Sequence, residues 1–343
     1  MKLASGIARN SVLIGASALL LACNGEPVTY ELVGSTMGTS FNVQVVSPPA
    51  SVDADALRQE ISETLAAIEQ SMSTYLPDSE LSRFNAQASG EWFNVSASLC
   101  RVVEGAQDIS RRSEGAFDVT VGALVNLWGF GPQQAIGEPP EPARIAGLLR
   151  TLGNDKLQTD CTRPALRKDA ADIYVDLSGY AKGYGVDQLA ELLGRAGIGN
   201  YLVEIGGEVR ARGRNARDTE WAIAIESPQR DSRSVARIVP LSDAAMATSG
   251  DYRIYFESAG VFYSHTIDPR TGYPVTHDAA AVTVIADTAA FADGMATALL
   301  VLGPVAGLRL AESENIAALF QLRVGDAINE RMSTRFRREV ALN

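Results

Sequence analysis

Histidine is scarce in this chain and so is cysteine: His265 and His277 are the two histidines, and there are three cysteines among 343 residues. So few ligands exclude zinc-finger spacing and argue against an iron–sulfur cluster. Two histidines without a Gly-x-Ser-x-Gly elbow argue against a hydrolase triad. The Gly-x-x-x-x-Gly-Lys-Ser/Thr loop is missing, as is Gly-x-Gly-x-x-Gly after a strand, so any phosphate chemistry needs another kind of site. There is no basic surplus either. A formal charge of -11 argues against a nucleic-acid partner, whose phosphates need a basic surface. Beyond the N-terminal region, no apolar run reads as long and uncharged enough to cross a membrane.

What is present begins with a leader. Lys2 and Arg9 form a basic n-region, and Val12 to Leu21 an apolar run too short to span a bilayer, which needs ~20 residues. The run ends in Leu20-Leu21-Ala22-Cys23, a lipobox pattern. Residues 1–22 thus read as a lipoprotein signal, Cys23 as the acylated new N-terminus, and residues 23–28 as its tether. A plain secretory leader with an incidental Cys23 is the competing reading. The remaining chain, 46% hydrophobic and 21% charged, can bury a core. Its length suggests one large domain over residues 29–340 with two intimately associated lobes. Cys100 and Cys161 could be disulfide-bonded or free.

Periodicity assigns the elements. Residues 41–46 alternate as an early strand, and Leu57, Ile61, Leu65, Ile68 and Met72 recur at helical spacing. A second helix is expected from Ala97 to Arg112 with Gly115 past its end. Residues 129–142 read as a surface loop. Ile173, Val175 and Leu177 suggest a strand, broken by Ser178-Gly179 and followed by a helix ending near Gly197. Strands are expected at 201–205, 209–212, 221–226, 235–241, 253–256, 262–267 and 282–286, then an apolar helix from Thr288 to Leu302. Short strands with turn-sized gaps and single helices define an α+β class with antiparallel or mixed sheets packed against helices.

Five segments could carry chemistry. In Asp176-Leu-Ser-Gly-Tyr-Ala-Lys-Gly-Tyr-Gly-Val-Asp187, a helix start beside Lys182 favours anions, and glycines let a ligand approach. The bland alternative is a tight turn with a solvated lysine. On the apolar helix, Asp293 and Thr297 are four apart and share a face, offering hard oxygens for Mg²⁺. Alternatively Asp293 faces solvent and Thr297 bonds the backbone. Next, a strand carrying His265 runs into the Asp268-Pro-Arg-Thr-Gly turn. His265 could take a proton from a hydroxyl, or be a satisfied core or rim residue. His277 receives no role. The aromatic and glycine-rich stretch from Gly115 to Gly131 could wall a planar ligand or simply pack. Thr248, Ser249 and Asp251 offer polar groups at a strand end.

Taken together, these segments resemble the ApbE family of FAD:protein FMN transferases. The motifs stand in the family's order: Gly34-Ser-Thr-Met-Gly-Thr39, Met72-Ser-Thr-Tyr75, Ser79-Glu-Leu-Ser-Arg-Phe-Asn85, Phe117-Asp-Val-Thr-Val-Gly122 and Leu127-Trp-Gly-Phe-Gly131. Asp176 through Asp187, Glu204-Ile-Gly-Gly-Glu208, Ala247-Thr-Ser-Gly-Asp-Tyr252, His265-Thr-Ile-Asp-Pro269 and Ala292-Asp-Gly-Met-Ala-Thr297 complete the set. Each alone is weak, but their shared order across residues 28–320 is specific.

The resemblance implies Asp293 and Thr297 as Mg²⁺ ligands, with a backbone carbonyl near Gly179. Some members carry a second aspartate before the threonine, where this chain has Ala296. It implies FAD contacts at Met37, Tyr75, Ala116, Phe117, Asp118, Asp176 and Lys182, although some relatives have an acidic residue in place of Lys182. His265 matches the proposed base and a flavin contact, with Asp268 beside it. The implied reaction moves FMN from FAD to a Thr or Ser of an acceptor protein, releasing AMP. Alternatives are a FAD pyrophosphatase yielding FMN and AMP, or a non-catalytic flavin-binding lipoprotein. Implied acceptors are subunits of membrane redox pumps, and the implied location is the bacterial envelope, lipid-anchored and facing the periplasm.

Overall fold

The computed structural model describes residues 27–88, 90–132, 137–229, 234–325 and 327–341. The expected leader, Cys23 and most of its tether lie outside the described residues.

The chain opens with strands β1 (Thr29–Thr36) and β2 (Thr39–Val46), paired antiparallel around a two-residue turn at Met37-Gly38. Helix α1 (Ala54–Met72) follows, its first turn capped by Asp53, whose carboxylate accepts from the backbone of Asp55 and Ala56. Leu57, Ile61, Leu65, Ile68 and Met72 are all buried, as their spacing predicts, each contributing about 1.5–3 kcal/mol of burial. Next come α2 (Glu80–Ala86), β3 (Phe93–Asn94) and α3 (Ala97–Arg112). Gly115, at φ 78°, donates back to Ser110 and closes α3 in a left-handed turn. After α4 (Gly122–Leu127), the expected loop gives way at its end to α5 (Pro142–Leu149). Strands β4 (Leu157–Asp160) and β5 (Ala165–Lys168) join β3 in a small sheet. Cys100 and Cys161 are disulfide-bonded, tying α3 to the β4–β5 turn.

The segment around Ile173, Val175 and Leu177 is deeply buried but is not a strand. Its hydrogen bonds go elsewhere: the Asn85 side chain both accepts from Val175 N–H and donates to its carbonyl, at 2.8 Å each. An amide side chain thus replaces a neighbouring strand, which an alternating apolar pattern cannot reveal. Helix α6 (Ala181–Arg195) then leads to β6 (Tyr201–Ile205), β7 (Glu208–Arg212), β8 (Trp221–Glu226), β9 (Val235–Leu241) and β10 (Ala244–Gly250). Strands β11 (Tyr255–Ser258) and β12 (Val261–Ser264) form a separate ribbon. The chain ends with β13 (Ala279–Ala286), α7 (Ala289–Ser313), β14 (Ala317–Val324), β15 (Ala327–Met332) and α8 (Thr334–Ala341).

Among the described residues the main sheet has eight strands in the order β1-β2-β6-β7-β10-β13-β14-β15, with antiparallel neighbours. The class is α+β. Helix α7 crosses β10 and β13, with Ala292, Met295, Ala296 and Leu299 fully buried. At 25 residues it is long and apolar enough to cross a membrane, contrary to the sequence reading. The extra length comes from a second segment joined at Gly303 (φ 75°) and Pro304, beyond the expected end at Leu302. The first segment packs in the protein interior, while in the second Gly307 and Ala311 are buried and Val305 is exposed.

Candidate active site

The site lies where α6 starts against the side of α7. The two helices approach closely because Gly183 has no side chain: a Cβ there would stand 2.3 Å from the Ala289 carbonyl oxygen. Asp187, one helical turn on, fixes the register. Its carboxylate accepts from Ala289 and Ala290 at the start of α7, at 3.0 and 2.9 Å, and from Arg210 at 2.6 Å. Burial nevertheless pushes the Asp187 carboxyl above the usual range, with those donors opposing.

On α7, Asp293 is 2% exposed and points at α6, not at solvent. Its Oδ2 accepts from Gly183 N–H at 3.1 Å and lies 3.8 Å from Lys182 Nζ. Burial raises its pKa, with Lys182 and the Gly183 bond opposing. Burial alone would depress the Lys182 ammonium, but the charges of Asp293 and Glu208, with the Glu208 hydrogen bond, hold its pKa above the lysine norm. Lys182 is therefore an ion-paired cation, its side chain half-buried against Glu208.

Gly179 and Thr297 meet here too: a Cβ on Gly179 would lie 3.4 Å from Thr297 Oγ1. Thr297 Oγ1 shares a 2.8 Å hydrogen bond with Ser249 Oγ of β10, so it does not simply bond back to its own helix. In an ordinary helix start Gly183 N–H would donate to the Gly179 carbonyl; here it donates to Asp293 instead. Among the described residues the Gly179 carbonyl receives no backbone donor. A carboxylate oxygen, a hydroxyl and an uncommitted carbonyl are the hard donors that Mg²⁺ takes, with water and phosphate filling its shell. The residues present fit that ion with one helix carboxylate and Ala296 buried beside it.

The expected flavin contacts fall around this junction. Met37 sits in a left-handed conformation (φ 49°) that a non-glycine residue rarely adopts. Glu69 of α1 holds it there, accepting from Met37 N–H and, at 2.9 Å, from Thr36 Oγ1. The Met37 side chain reaches α6, its Cε 3.1 Å from where a Gly185 Cβ would be. An open hollow of about 500 Å³ is lined by Ser35, Thr36, Met37, Gly38, Thr39 and Glu69. Phe117 packs on Gly179, and Ala116 is buried behind it. Asp176 N–H donates to Val119, which brings the Ala116–Asp118 stretch beside Asp176. Tyr75 is mostly exposed and close enough to Asp176 for burial and that charge together to raise its pKa. Asp118 is buried with its Oδ1 accepting from the backbone and hydroxyl of Thr120, at 2.8 and 2.7 Å, so its carboxylate shapes its own loop.

His265 stands just past β12, not on a strand as expected. Its ring Nδ1 and backbone N–H each lie 3.1 Å from the Ile254 carbonyl. Part of the ring reaches solvent, yet its surroundings are close enough for burial, with the Lys182 charge, to lower its pKa below 6.5. The Ile254 bond and Asp251 oppose this. Among the described residues Asp268 makes no hydrogen bond to His265. Asp268 accepts twice from the Arg270 guanidinium, at 2.9 and 2.8 Å, and from Arg270 N–H, so its carboxylate is committed to the turn. Trp128, placed in the aromatic segment, is buried against Phe256, Tyr263 and Tyr273 and donates to the Gly272 carbonyl. Trp128 thus packs in a buried aromatic cluster. Thr248 bonds Thr283, and Asp251 is bidentate to Arg323.

Sequence reasoning gave no role to Glu69, Asp187 or Glu208. Asp187 and Glu208 close two of the quoted motifs, so an acid ending a glycine-rich turn was the available signal. Glu69 sits on an otherwise ordinary amphipathic helix, and nothing in the sequence distinguishes it.

Hard oxygens and an ion-paired lysine at one helix junction, mounted on an antiparallel sheet, place the chain among α+β proteins equipped for phosphate chemistry. Comparison with known proteins narrows this. Residues 37–320 match the ApbE family model, and the chain belongs to the ApbE family. It is 44% identical to a FAD:protein FMN transferase of Vibrio cholerae over 96% of this chain and 98% of that protein. With the Haemophilus influenzae protein of the same description it shares 41%, covering 98% of each. Among solved structures, the flavin transferase ApbE from Vibrio cholerae superposes with a TM-score of 0.85 at 42% identity, covering 91% of this chain and 99% of that one. The apo form of a Pseudomonas stutzeri flavinyl transferase ApbE gives 0.85 at 37%, covering 92% and 98%.

Proposed function

We propose that this chain is a FAD:protein FMN transferase, attaching FMN through a phosphoester to a Thr or Ser of an acceptor protein and releasing AMP. The observation that carries the reading is the meeting of Asp293 and Thr297 with the Gly179–Gly183 turn beside Lys182, where the Gly179 carbonyl has no backbone donor among the described residues, in a chain whose relatives bear that description. A Mg²⁺ ion, when bound by those three oxygens, supplies positive charge against the FAD diphosphate. Lys182 adds a second positive charge at the same place. Met37, held by Glu69, and Tyr75 with Asp176 would contact the flavin nucleotide. His265, neutral at ordinary pH because its pKa is lowered, accepts the proton of the acceptor hydroxyl. The hydroxyl oxygen bonds to the FMN-side phosphorus, the P–O bond to the AMP phosphate breaks, and AMP leaves with the electron pair. Positioning and charge stabilisation carry most of such a phosphoryl transfer.

The lipobox at Cys23 supports a lipid-anchored enzyme facing the periplasm, and the family resemblance alone implies flavinylated subunits of membrane redox pumps as acceptors. Purified protein, FAD, Mg²⁺ and a peptide containing Asp-Gly-x-Thr-Gly-Ala-Thr provide the test, read by mass spectrometry. A gain of one FMN on one of the peptide's two threonines is expected. Release of FMN and AMP without labelling would replace the transferase reading with a FAD pyrophosphatase. Binding of FAD with no cleavage would leave a flavin-binding lipoprotein.

A further inference from the structure

The reaction described above has no use for Glu208, although it sits at the centre of the charge cluster. Glu208 begins β7 and is 3% exposed. Lys182 Nζ lies 2.9 Å from its Oε1 but 3.8 Å from Asp293 Oδ2, so the ammonium bonds Glu208 and only approaches Asp293. Glu208 Oε2 is buried with no hydrogen-bond partner among the described residues. An unpaired buried carboxylate oxygen is costly, so a purely structural anchor would be an expensive one. Resting on the metal-site reading above, we propose that Glu208 is a positioning residue: it holds the Lys182 ammonium off Asp293, so that Asp293 stays open to a divalent cation.

The physical reason is competition. A lysine ammonium is a compact charge on a flexible stem, free to follow the nearer carboxylate. Asp293 has one firm donor, Gly183 N–H, and therefore room for another partner. Without the Glu208 charge, closing the remaining gap would give Lys182 a direct ion pair with Asp293 in the place a metal needs. With Glu208 present, the ammonium is bonded to a second carboxylate, and Asp293 keeps an open side for a further cation.

Mn²⁺ binding to the full chain without flavin, read from the free-ion electron paramagnetic resonance signal, tests this in four proteins. These are the wild type, Glu208→Gln, Lys182→Met and the double variant. Glu208→Gln should weaken Mn²⁺ binding about tenfold, and Lys182→Met should tighten it about threefold. Adding Glu208→Gln to Lys182→Met should then cost less than about threefold, because no ammonium remains to be held away. The same loss in both backgrounds would overturn the proposal and reduce Glu208 to a general negative charge. So would unchanged binding in Glu208→Gln. Should that variant fail to fold by circular dichroism, Lys182→Met decides alone: tighter binding supports the proposal and weaker binding overturns it. A wild type that binds no Mn²⁺ would instead remove the metal-site reading, and the proposal with it.

Discussion

On the side formed by α6 and α7, Asp293 is 2% exposed and held by the Gly183 N–H, while His265 stands past a strand end and hangs from a single carbonyl. The first side is part of the core: α7 lies across β10 and β13, and Asp187 locks its first turn to α6. The second is a two-stranded ribbon stabilised by aromatic stacking, with Phe256 and Tyr263 centroids 5.0 Å apart. Diphosphate and metal need donors placed to within fractions of an ångström, which core helices supply. An acceptor protein needs access, which a peripheral ribbon supplies. The division suggests that substitutions on the first side act on binding and chemistry together, and those on the second on proton transfer alone.

The largest effect should come from the rigid side. Asp293→Asn keeps the shape and an acceptor for Gly183 but loses the charge, and FMN transfer should fall about 10²–10³-fold, with Mn²⁺ binding lost in parallel. Retained activity would break the comparison at its stronger end. His265→Gln should lower the transfer rate about 10²-fold while FAD binding, followed by flavin fluorescence, stays within a few-fold. The pH profile sharpens this. A lowered histidine pKa keeps the base neutral to lower pH, so activity should rise with pH through a midpoint below 6.5, and His265→Gln should lose that limb. A midpoint above 6.5 would contradict the assignment. Removing the Cys100–Cys161 bond with paired serines should cost about 2–4 kcal/mol in chemical denaturation and leave the rate near wild type, since the bond braces α3 behind the site. The smallest change is Ser249→Ala, which frees the Thr297 hydroxyl and should alter Mn²⁺ affinity by only about threefold.

The same division governs what could be read from sequence. Helices α1, α3 and α6 were legible because each buries one periodic apolar face, and the first segment of α7 because it is a long apolar run buried on nearly every side. Strand β10 was not. Its Ala-Ala-Met-Ala-Thr-Ser-Gly run has little strand character, and its small residues suit the close approach of α7 across it. The reverse error fell on Val175, whose apolar alternation is real but whose hydrogen bonds end on Asn85. Of the site, the proposed metal donors Asp293 and Thr297 stood out because a lone acid on an apolar helix is conspicuous, and the motif order pointed to that face. Glu208 and Glu69 act through other residues, Lys182 and Met37, and pairings of that kind exist only once the chain has folded. Asp268 shows the converse. Its place beside His265 in sequence suggested a shared role, but its turn with Arg270 consumes the carboxylate.

Anomalous diffraction from crystals grown with Mn²⁺ and FAD addresses the core of this account directly. A single strong peak is expected within about 2–2.5 Å of Asp293, Thr297 Oγ1 and the Gly179 carbonyl oxygen, touching the diphosphate. A peak elsewhere, or none while the same preparation transfers FMN, would contradict it.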